Sequence, residues 1–417
     1  MEDYYRYLIV GASAAGMAAA HTIRQYDSDG SIGIFTDETD PPYFRPLIPF
    51  LISGKKKSFD MFMTGSGPYV NKNITINTGH RITGLSVTTK KVFLSEDISV
   101  SWDKILLATG SSPFMPSNIK GLDTQGVFAL RTLSDARKMA QFAAQSNHAV
   151  MLGGGILNLK TAFALLEKGL KVTLVVYSPE VLSQLMAPED AFLIRKALDK
   201  AGLDIITGAN ATAILSKNGN VQGILLDNRV ELPCQMVCVG KGVRPNIDFL
   251  SDSQIKVNKG IVADIYTKCN VPDVYTAGDV AVTYDPVSET SMQTALWTNA
   301  VEMGRCAGKN MAGIKTAYSG TFGVLNATQV ADEPFVSMGT VHTNDADYDV
   351  YHHQADQSYR KLVFNSDGNL LLGAVFIGNI KNAGLYRYVI REKMNILNIK
   401  QELIDHRLHY GHFSVKF

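Results

Sequence analysis

The residues with the clearest chemical potential are glycines in two strand-to-helix turns. Gly11-Ala12-Ser13-Ala14-Ala15-Gly16 follows the apolar run Tyr7-Leu8-Ile9-Val10 and opens an alanine-rich stretch. A glycine at the turn adopts backbone angles that other residues resist. The small residues Ser13, Ala14 and Ala15 let the main chain approach a pyrophosphate, and the Ser13 hydroxyl can donate to it. Gly16 lets the helix pack closely on the strand, and the helix N-terminus offers free N–H groups and the positive end of its dipole. An acid about twenty residues further on is expected to hold the ribose hydroxyls. Thr36, Asp37 and Glu38 end the next strand, and Asp37 is the choice by spacing, with one residue of register freedom. A strand-to-helix turn without a ligand has the same pattern, so this motif alone leaves that reading open.

The second turn lies about 140 residues later: Ala149-Val150-Met151-Leu152 runs into Gly153-Gly154-Gly155-Ile156-Leu157-Asn158, and a second strand follows at Lys171 to Val176. Two strand–helix–strand units mean two nucleotide-binding folds. Asn158 stands where glycine or alanine is usual, which predicts looser helix–strand packing. The strand end Val176-Tyr177-Ser178 carries neither the acid that selects NADH nor an arginine for NADPH, so the nicotinamide cofactor stays open. Beyond about residue 318 the pattern changes to strand-like pieces (335–338, 361–364, 370–377) and helical stretches near 380–406, a separate α+β domain.

The elements that position these turns need a chain of two or three domains, which 417 residues supply. Forty basic and 39 acidic residues leave a net charge of +1, which favours neither nucleic acid nor an anionic membrane. The run Lys55-Lys56-Lys57 reads as a solvated loop able to steer an acidic protein. No signal peptide is expected, because the first strand begins too early. No apolar run reaches the roughly 18 residues of a membrane helix. Cys234, Cys238, Cys269 and Cys306 have no Cys-x-x-Cys spacing and read as reduced, packed cytoplasmic thiols. No metal site is expected: His406 and His409 have helical spacing, but Gly411 ends any helix there, and His352, His353 and His412 have no acid or thiol cluster beside them in sequence.

Taken in order, Gly11 to Gly16, Trp102-Asp103-Lys104-Ile105-Leu106-Leu107-Ala108-Thr109-Gly110 and Thr276-Ala277-Gly278-Asp279-Val280 resemble the FAD-dependent pyridine-nucleotide oxidoreductases with two dinucleotide domains. The tail resembles that of the rubredoxin-reductase and NADH nitrite-reductase branch. The resemblance implies an α/β fold: two Rossmann-like domains with parallel sheets, plus a smaller C-terminal α+β domain. It places an FAD domain at 1–115 and 247–317, an NAD(P) domain at 116–246 and an interface domain at 318–417. It implies that Ala108, Thr109 and Gly110 contact the flavin, and that Gly278 and Asp279 meet the ribityl chain. Arg45 and Pro46 would lie along the flavin and its phosphates, Ile82 would read the adenine by its backbone, and Trp297 would sit near the isoalloxazine or simply in the core. Gly153, Gly155 and Gly242 would hold the nicotinamide dinucleotide, NAD preferred over NADP. Lys160 replaces the family's usual glutamate near flavin N5, where a positive charge would favour an anionic reduced flavin. The resemblance also shows what is missing. No Cys-x-x-x-x-Cys follows the first glycine helix, and the single cysteine of the coenzyme A disulfide reductases and NADH oxidases aligns with Pro46.

Without a redox thiol, the flavin itself must hand electrons on. The leading expectation is an enzyme that moves electrons between NAD(P)H and a one-electron protein carrier, an iron–sulfur protein, ferredoxin or rubredoxin, as a homo-oligomer or one subunit of a redox complex. The alternative is a non-catalytic FAD-carrying relay subunit that never meets NAD(P)H, for which Asn158, Lys160 and Val176 are the support.

Overall fold

A computed structural model describes residues 2–63, 73–94, 98–251, 253–320, 322, 324–343 and 347–413. The chain forms two compact units: one of residues 1–114, 131–134 and 243–321, the other of 115–130, 135–242 and 322–417.

In the first unit, β1 (Tyr4–Val10) is apolar at consecutive positions, with Leu8 and Ile9 fully buried, as a central strand covered on both faces must be. It enters α1 (Ala14–Tyr26), which leads to β2 (Ile32–Phe35). β1 lies between β2 and β3 (Ser99–Leu107), parallel to both. Strand Ile74–Asn77 extends the sheet beyond β2, and Val274–Thr276 pairs with β3 near its C-terminal end. One face of the sheet is covered by α1 and the helix Trp297–Met311. These helices meet backbone to backbone. A Cβ at Gly304 would strike the Ala15 carbonyl, and one at Gly308 would come within 2.7 Å of the Ala19 carbonyl. The alanine-rich composition of α1 is therefore a packing requirement of this contact.

In the second unit, β4 (His148–Leu152), α2 (Ile156–Glu167) and β5 (Lys171–Val176) repeat the strand–helix–strand pattern. Their sheet is parallel throughout, in the order Asp204–Thr207, β5, β4, Met236–Val239, Val127–Phe128. An antiparallel three-stranded arm (Ala211–Lys217, Asn220–Leu226, Glu231–Pro233) packs its apolar side with the core of this sheet. The C-terminal segment forms a five-stranded antiparallel sheet. Its order is Leu325–Val330, Glu333–Gly339, β8 (Leu371–Ile377), β7 (Ser358–Asn365), β6 (Tyr348–Ala355). Short helices at Ala383–Arg391 and Lys400–Ile404 complete it, in line with the mixed strands and helices expected there. Among the described residues no helix is long and apolar enough to cross a membrane.

Candidate functional site

The first glycine turn has the geometry that a pyrophosphate needs. Gly11 sits at φ +112°, and a side chain there would run into the Ala108 carbonyl of the neighbouring strand. Its N–H donates to the Phe35 carbonyl at 2.7 Å, which fixes the turn at the C-terminal edge of the sheet. Gly16 lies directly against the Gly11 carbonyl, so no side chain fits there either. Ser13 caps α1 in an extended conformation without bonding the helix N–H groups, and the first turn of α1 carries no acid. The helix N-terminus is thus left electropositive for an anion.

A network of charged side chains surrounds this turn. Arg45 donates from Nε to the Ser13 hydroxyl at 3.0 Å and from Nη1 to the Arg131 carbonyl at 2.8 Å, and it pairs with Glu38 through Nη2. The Tyr43 hydroxyl donates to the other Glu38 oxygen at 2.5 Å and accepts the Leu133 N–H at 3.0 Å. Burial pushes the Tyr43 phenol well above its ordinary value, so it stays a neutral donor. Arg131 pairs with Asp279 at 2.6 Å, and the Ser111 hydroxyl donates to the same carboxylate oxygen at 2.9 Å. Among the described residues both of these bonds fall on one Asp279 oxygen, and none reaches the other.

The structure brings Gly11, Ser13, Ala14, Ala15, Gly16, Arg45, Ala108, Thr109, Gly110, Gly278 and Asp279 to one edge of the sheet. Thr109 and Gly110 are held by Asn246: the Thr109 hydroxyl donates to its carbonyl at 2.8 Å, the Asn246 amide returns a bond to the Thr109 carbonyl at 2.9 Å, and the Gly110 carbonyl accepts its N–H at 3.0 Å. Gly278, at φ +83°, lets this loop close onto Ala15, where a Cβ would lie 3.2 Å from the alanine methyl. Other expected residues are placed differently. β2 stops at Phe35, and the chain beyond it leaves Asp37 exposed while Glu38 turns into the arginine network. Pro46 is exposed on the short turn Arg45–Leu47. Ile82 is buried in the core on the sheet face opposite α1, beside Leu107 and Val280. Trp297 is the first residue of its helix, half-buried, with its ring 6.1 Å from that of Phe44. Glu38, Tyr43, Ser111 and Arg131 join this network without a sequence motif that marks them, except that Glu38 adjoins Asp37 at the end of β2.

The second turn repeats the first. Gly153 is at φ +107°, where a side chain would meet the Gly240 carbonyl, and its N–H donates to the Val175 carbonyl at 2.8 Å. Gly155 caps α2, and the space beyond it is open, with no acid in the first helical turn. Packing at Asn158 is not loosened. Its buried amide donates to the Gly153 carbonyl at 2.6 Å and fills the volume beside Gly240, where a Cβ would come within 2.7 Å of the asparagine oxygen. Gly242 sits at φ +99° with open space around it. Lys160 is half-buried on α2 without an ion-pair partner among the described residues, and burial lowers its pKa below the usual lysine value.

The thiols take no part in either turn. Cys234, Cys238 and Cys306 are buried, Cys269 is partly buried, and all four are free. Burial pushes Cys234 and Cys269 up to about 12 and Cys306 to about 11, and raises Cys238 as well, so none carries thiolate near neutrality. Among the described residues no cluster of histidine, cysteine, aspartate or glutamate has the arrangement of a metal site.

Both turns fit dinucleotides, and beside the first one Asp279 oxygen has no partner among the described residues. Comparison with known proteins agrees. Residues 5–304 match the model of the pyridine nucleotide-disulphide oxidoreductase family, and residues 325–394 that of the rubredoxin NAD+ reductase C-terminal domain. The chain is 30% identical over 311 residues to a rubredoxin-NAD(+) reductase of Ectopseudomonas oleovorans, covering 74% of this chain and 80% of that one. It is 30% identical to an NADH oxidase of Methanocaldococcus jannaschii over 77% of this chain and 72% of the other. It is 27% identical to the epsilon subunit of an NADH-dependent phenylglyoxylate dehydrogenase of Aromatoleum evansii over 98% of this chain and 97% of that one. A solved ferredoxin reductase of Rhodopseudomonas palustris shares the fold, with a TM-score of 0.84 at 24% identity over 94% of this chain and 96% of the other. The chain belongs to the pyridine nucleotide-disulphide oxidoreductase family, in its rubredoxin-reductase-like branch, and is an oxidoreductase that uses FAD and a nicotinamide dinucleotide.

Proposed function

We propose that this chain moves electrons between NADH and a small one-electron protein carrier, an iron–sulfur protein or a rubredoxin, as part of a redox complex in the cytoplasm. The observation that carries this reading is the coexistence of two complete dinucleotide turns with four inert thiols. Bound FAD supplies the conversion between a hydride pair from the nicotinamide and single electrons, which needs no protein nucleophile. The protein's part is binding, orientation and electrostatics. The turn Gly11–Gly16 and the N-terminus of α1 hold the pyrophosphate, and Arg45, fixed by Glu38 and Ser13, adds a directed positive charge. Glu38 or its exposed neighbour Asp37 takes the ribose hydroxyls. Arg131 and Ser111 lock one Asp279 oxygen, and the other, without a partner among the described residues, would accept from the ribityl chain. Gly153, Gly155 and Gly242 receive the nicotinamide dinucleotide, and Lys160 on α2 acts as a cationic group of that site.

The partner class rests on the relatives. The Ectopseudomonas relative is named for rubredoxin, and that of Rhodopseudomonas for ferredoxin. Membership of a complex is favoured by the end-to-end match to a subunit of a larger NADH-dependent dehydrogenase. The same match supports a second reading, a relay subunit that takes its electrons from a sister subunit; in that case NAD+ is the acceptor or is not bound at all. Four unpaired thiols fit a reducing compartment. Purification of the native complex followed by single-turnover transfer from the NADH-reduced protein to rubredoxin or ferredoxin tests the assignment. Rapid one-electron transfer is the expected result. A native preparation without an iron protein, together with fast reduction of oxygen or a small organic acceptor, would overturn it in favour of an oxidase.

A further inference from the structure

The C-terminal sheet holds a cavity of about 430 Å³ that plays no part in either dinucleotide turn. It lies where β6 and β7 meet the end of the helix Lys400–Ile404, and its walls include Tyr351, His353, Ser358, Arg360, His406 and Arg407. Arg360 sits within β7, opposite His353 of β6, and is only 8% exposed. Its guanidinium carbon lies 5.8 Å from the centre of the Tyr351 ring. One amino group, Nη2, donates to the Ile404 carbonyl at the C-terminal end of the helix. Nε is buried with no hydrogen-bond partner, and among the described residues no carboxylate lies within ion-pair distance of Arg360.

A guanidinium has five N–H donors and a charge that it cannot shed. Removing one from water to satisfy a single carbonyl is unfavourable unless an anion comes with it. Among the described residues the one acid on the cavity wall, Asp405, is already matched by Arg407 at 2.6 Å. His406 donates from Nε2 to the Lys381 carbonyl at 2.6 Å, which leaves Nδ1 available. Burial is the main cause that holds the His406 pKa below its ordinary value; the bond to the Lys381 carbonyl opposes it, and the nearby charges of Arg360, Lys381 and His353 add to the lowering. The cavity exceeds the needs of a single ion and falls in the usual range for a small organic ligand.

The geometry points to a second ligand site: the cavity binds a small phosphate monoester, with its phosphate on Arg360 and Arg407 and its organic part against Tyr351. Ser358 and His353 supply further polar contacts. Isothermal titration of the FAD-loaded protein, with NAD+ present at saturation, tests this. The titrants are inorganic phosphate and glycerol 3-phosphate, with chloride of matched ionic strength as the blank. Saturable binding at one site per chain is expected, tighter for the ester than for the inorganic ion. Arg360→Gln should abolish it. Arg407→Ala, at an exposed position that folding tolerates, should weaken it about ten- to a hundredfold, the value of a charge-assisted hydrogen bond. Absence of saturable binding of both titrants to the unsubstituted protein, or unchanged binding in the Arg407→Ala variant, would overturn the proposal.

Discussion

Replacement of Asp190 should unfold the second unit well before the first. Its carboxylate side chain is fully buried, 3.2 Å from the Lys361 ammonium, which is itself only 2% exposed. It also accepts the Tyr359 hydroxyl and, at 3.2 Å, the Ala187 N–H, and Tyr359 is in turn bonded to His352 at 2.8 Å. These contacts tie the turn Pro188–Ala191 to β7. At an effective dielectric constant of about 20, the Coulomb attraction at this separation is roughly 5 kcal/mol. Much of that is offset by desolvation in the intact pair, but Asp190→Ala leaves the buried ammonium with only the exposed Glu189 carboxylate, at 4.0 Å, beside it among the described residues, a loss of about 3 kcal/mol. The double variant Asp190→Leu, Lys361→Met removes both charges and should regain most of the loss. Both tryptophans, Trp102 and Trp297, lie in the first unit, so their fluorescence reports that unit while far-UV circular dichroism reports both. In urea, Asp190→Ala should shift the dichroism transition to lower denaturant and leave most of the fluorescence transition in place. A destabilisation below about 1 kcal/mol, or a double variant no more stable than the single one, would refute the assignment of a mutually dependent buried pair.

Three further outcomes follow from the same geometry. Gly16→Val and Gly304→Val should each yield protein without flavin, the first by blocking the turn against the Gly11 carbonyl and the second by forcing α1 away through the Ala15 carbonyl; the ratio of absorbance at 450 to 280 nm (about zero if the cradle fails) measures this. Single replacement of each cysteine by alanine should leave electron transfer within about threefold of the parent, because a thiol held well above neutral pKa is no nucleophile; a folded, flavin-loaded but inactive variant would contradict that. The Asp27 carboxyl is held at about 2, below its ordinary 3.8, first by the Gly30 N–H and then by the Tyr7 hydroxyl, the Asp29 N–H and Arg6. The stability it confers is complete above 3.8 and is lost as pH falls towards 2, so Asp27→Asn should flatten the melting temperature between those values, and an unchanged acid limb would count against the bonding scheme.

What the sequence made legible was local. Each glycine turn is a short stretch whose spacing alone encodes strand, cradle and helix, and the absence of a redox cysteine at Pro46 is read at one position. What it hid was brought together by the fold. Arg131 reaches Arg45 from 86 residues away and Asp279 from 148, and no local pattern marks it. Spacing cannot say where β2 stops and the chain turns, so it does not show that Glu38 joins the Arg45 network while Asp37 faces solvent. Asn158 reads as a packing defect until Gly240, distant in sequence, is seen to leave the room its amide fills. The pairing of Asp190 with Lys361 spans 171 residues and joins segments that the family resemblance assigns to different domains.

The central claim is that one chain carries both a working flavin cradle and a working nicotinamide site. Anaerobic stopped-flow mixing of the flavin-loaded protein with NADH, followed at the flavin absorption maximum, tests it directly. The account predicts full bleaching in a saturable, concentration-dependent phase, which Gly155→Val slows at least tenfold by filling the open space at the N-terminus of α2 while flavin content is unchanged. Flavin that stays oxidised with both NADH and NADPH, in protein that dithionite reduces normally, would contradict it.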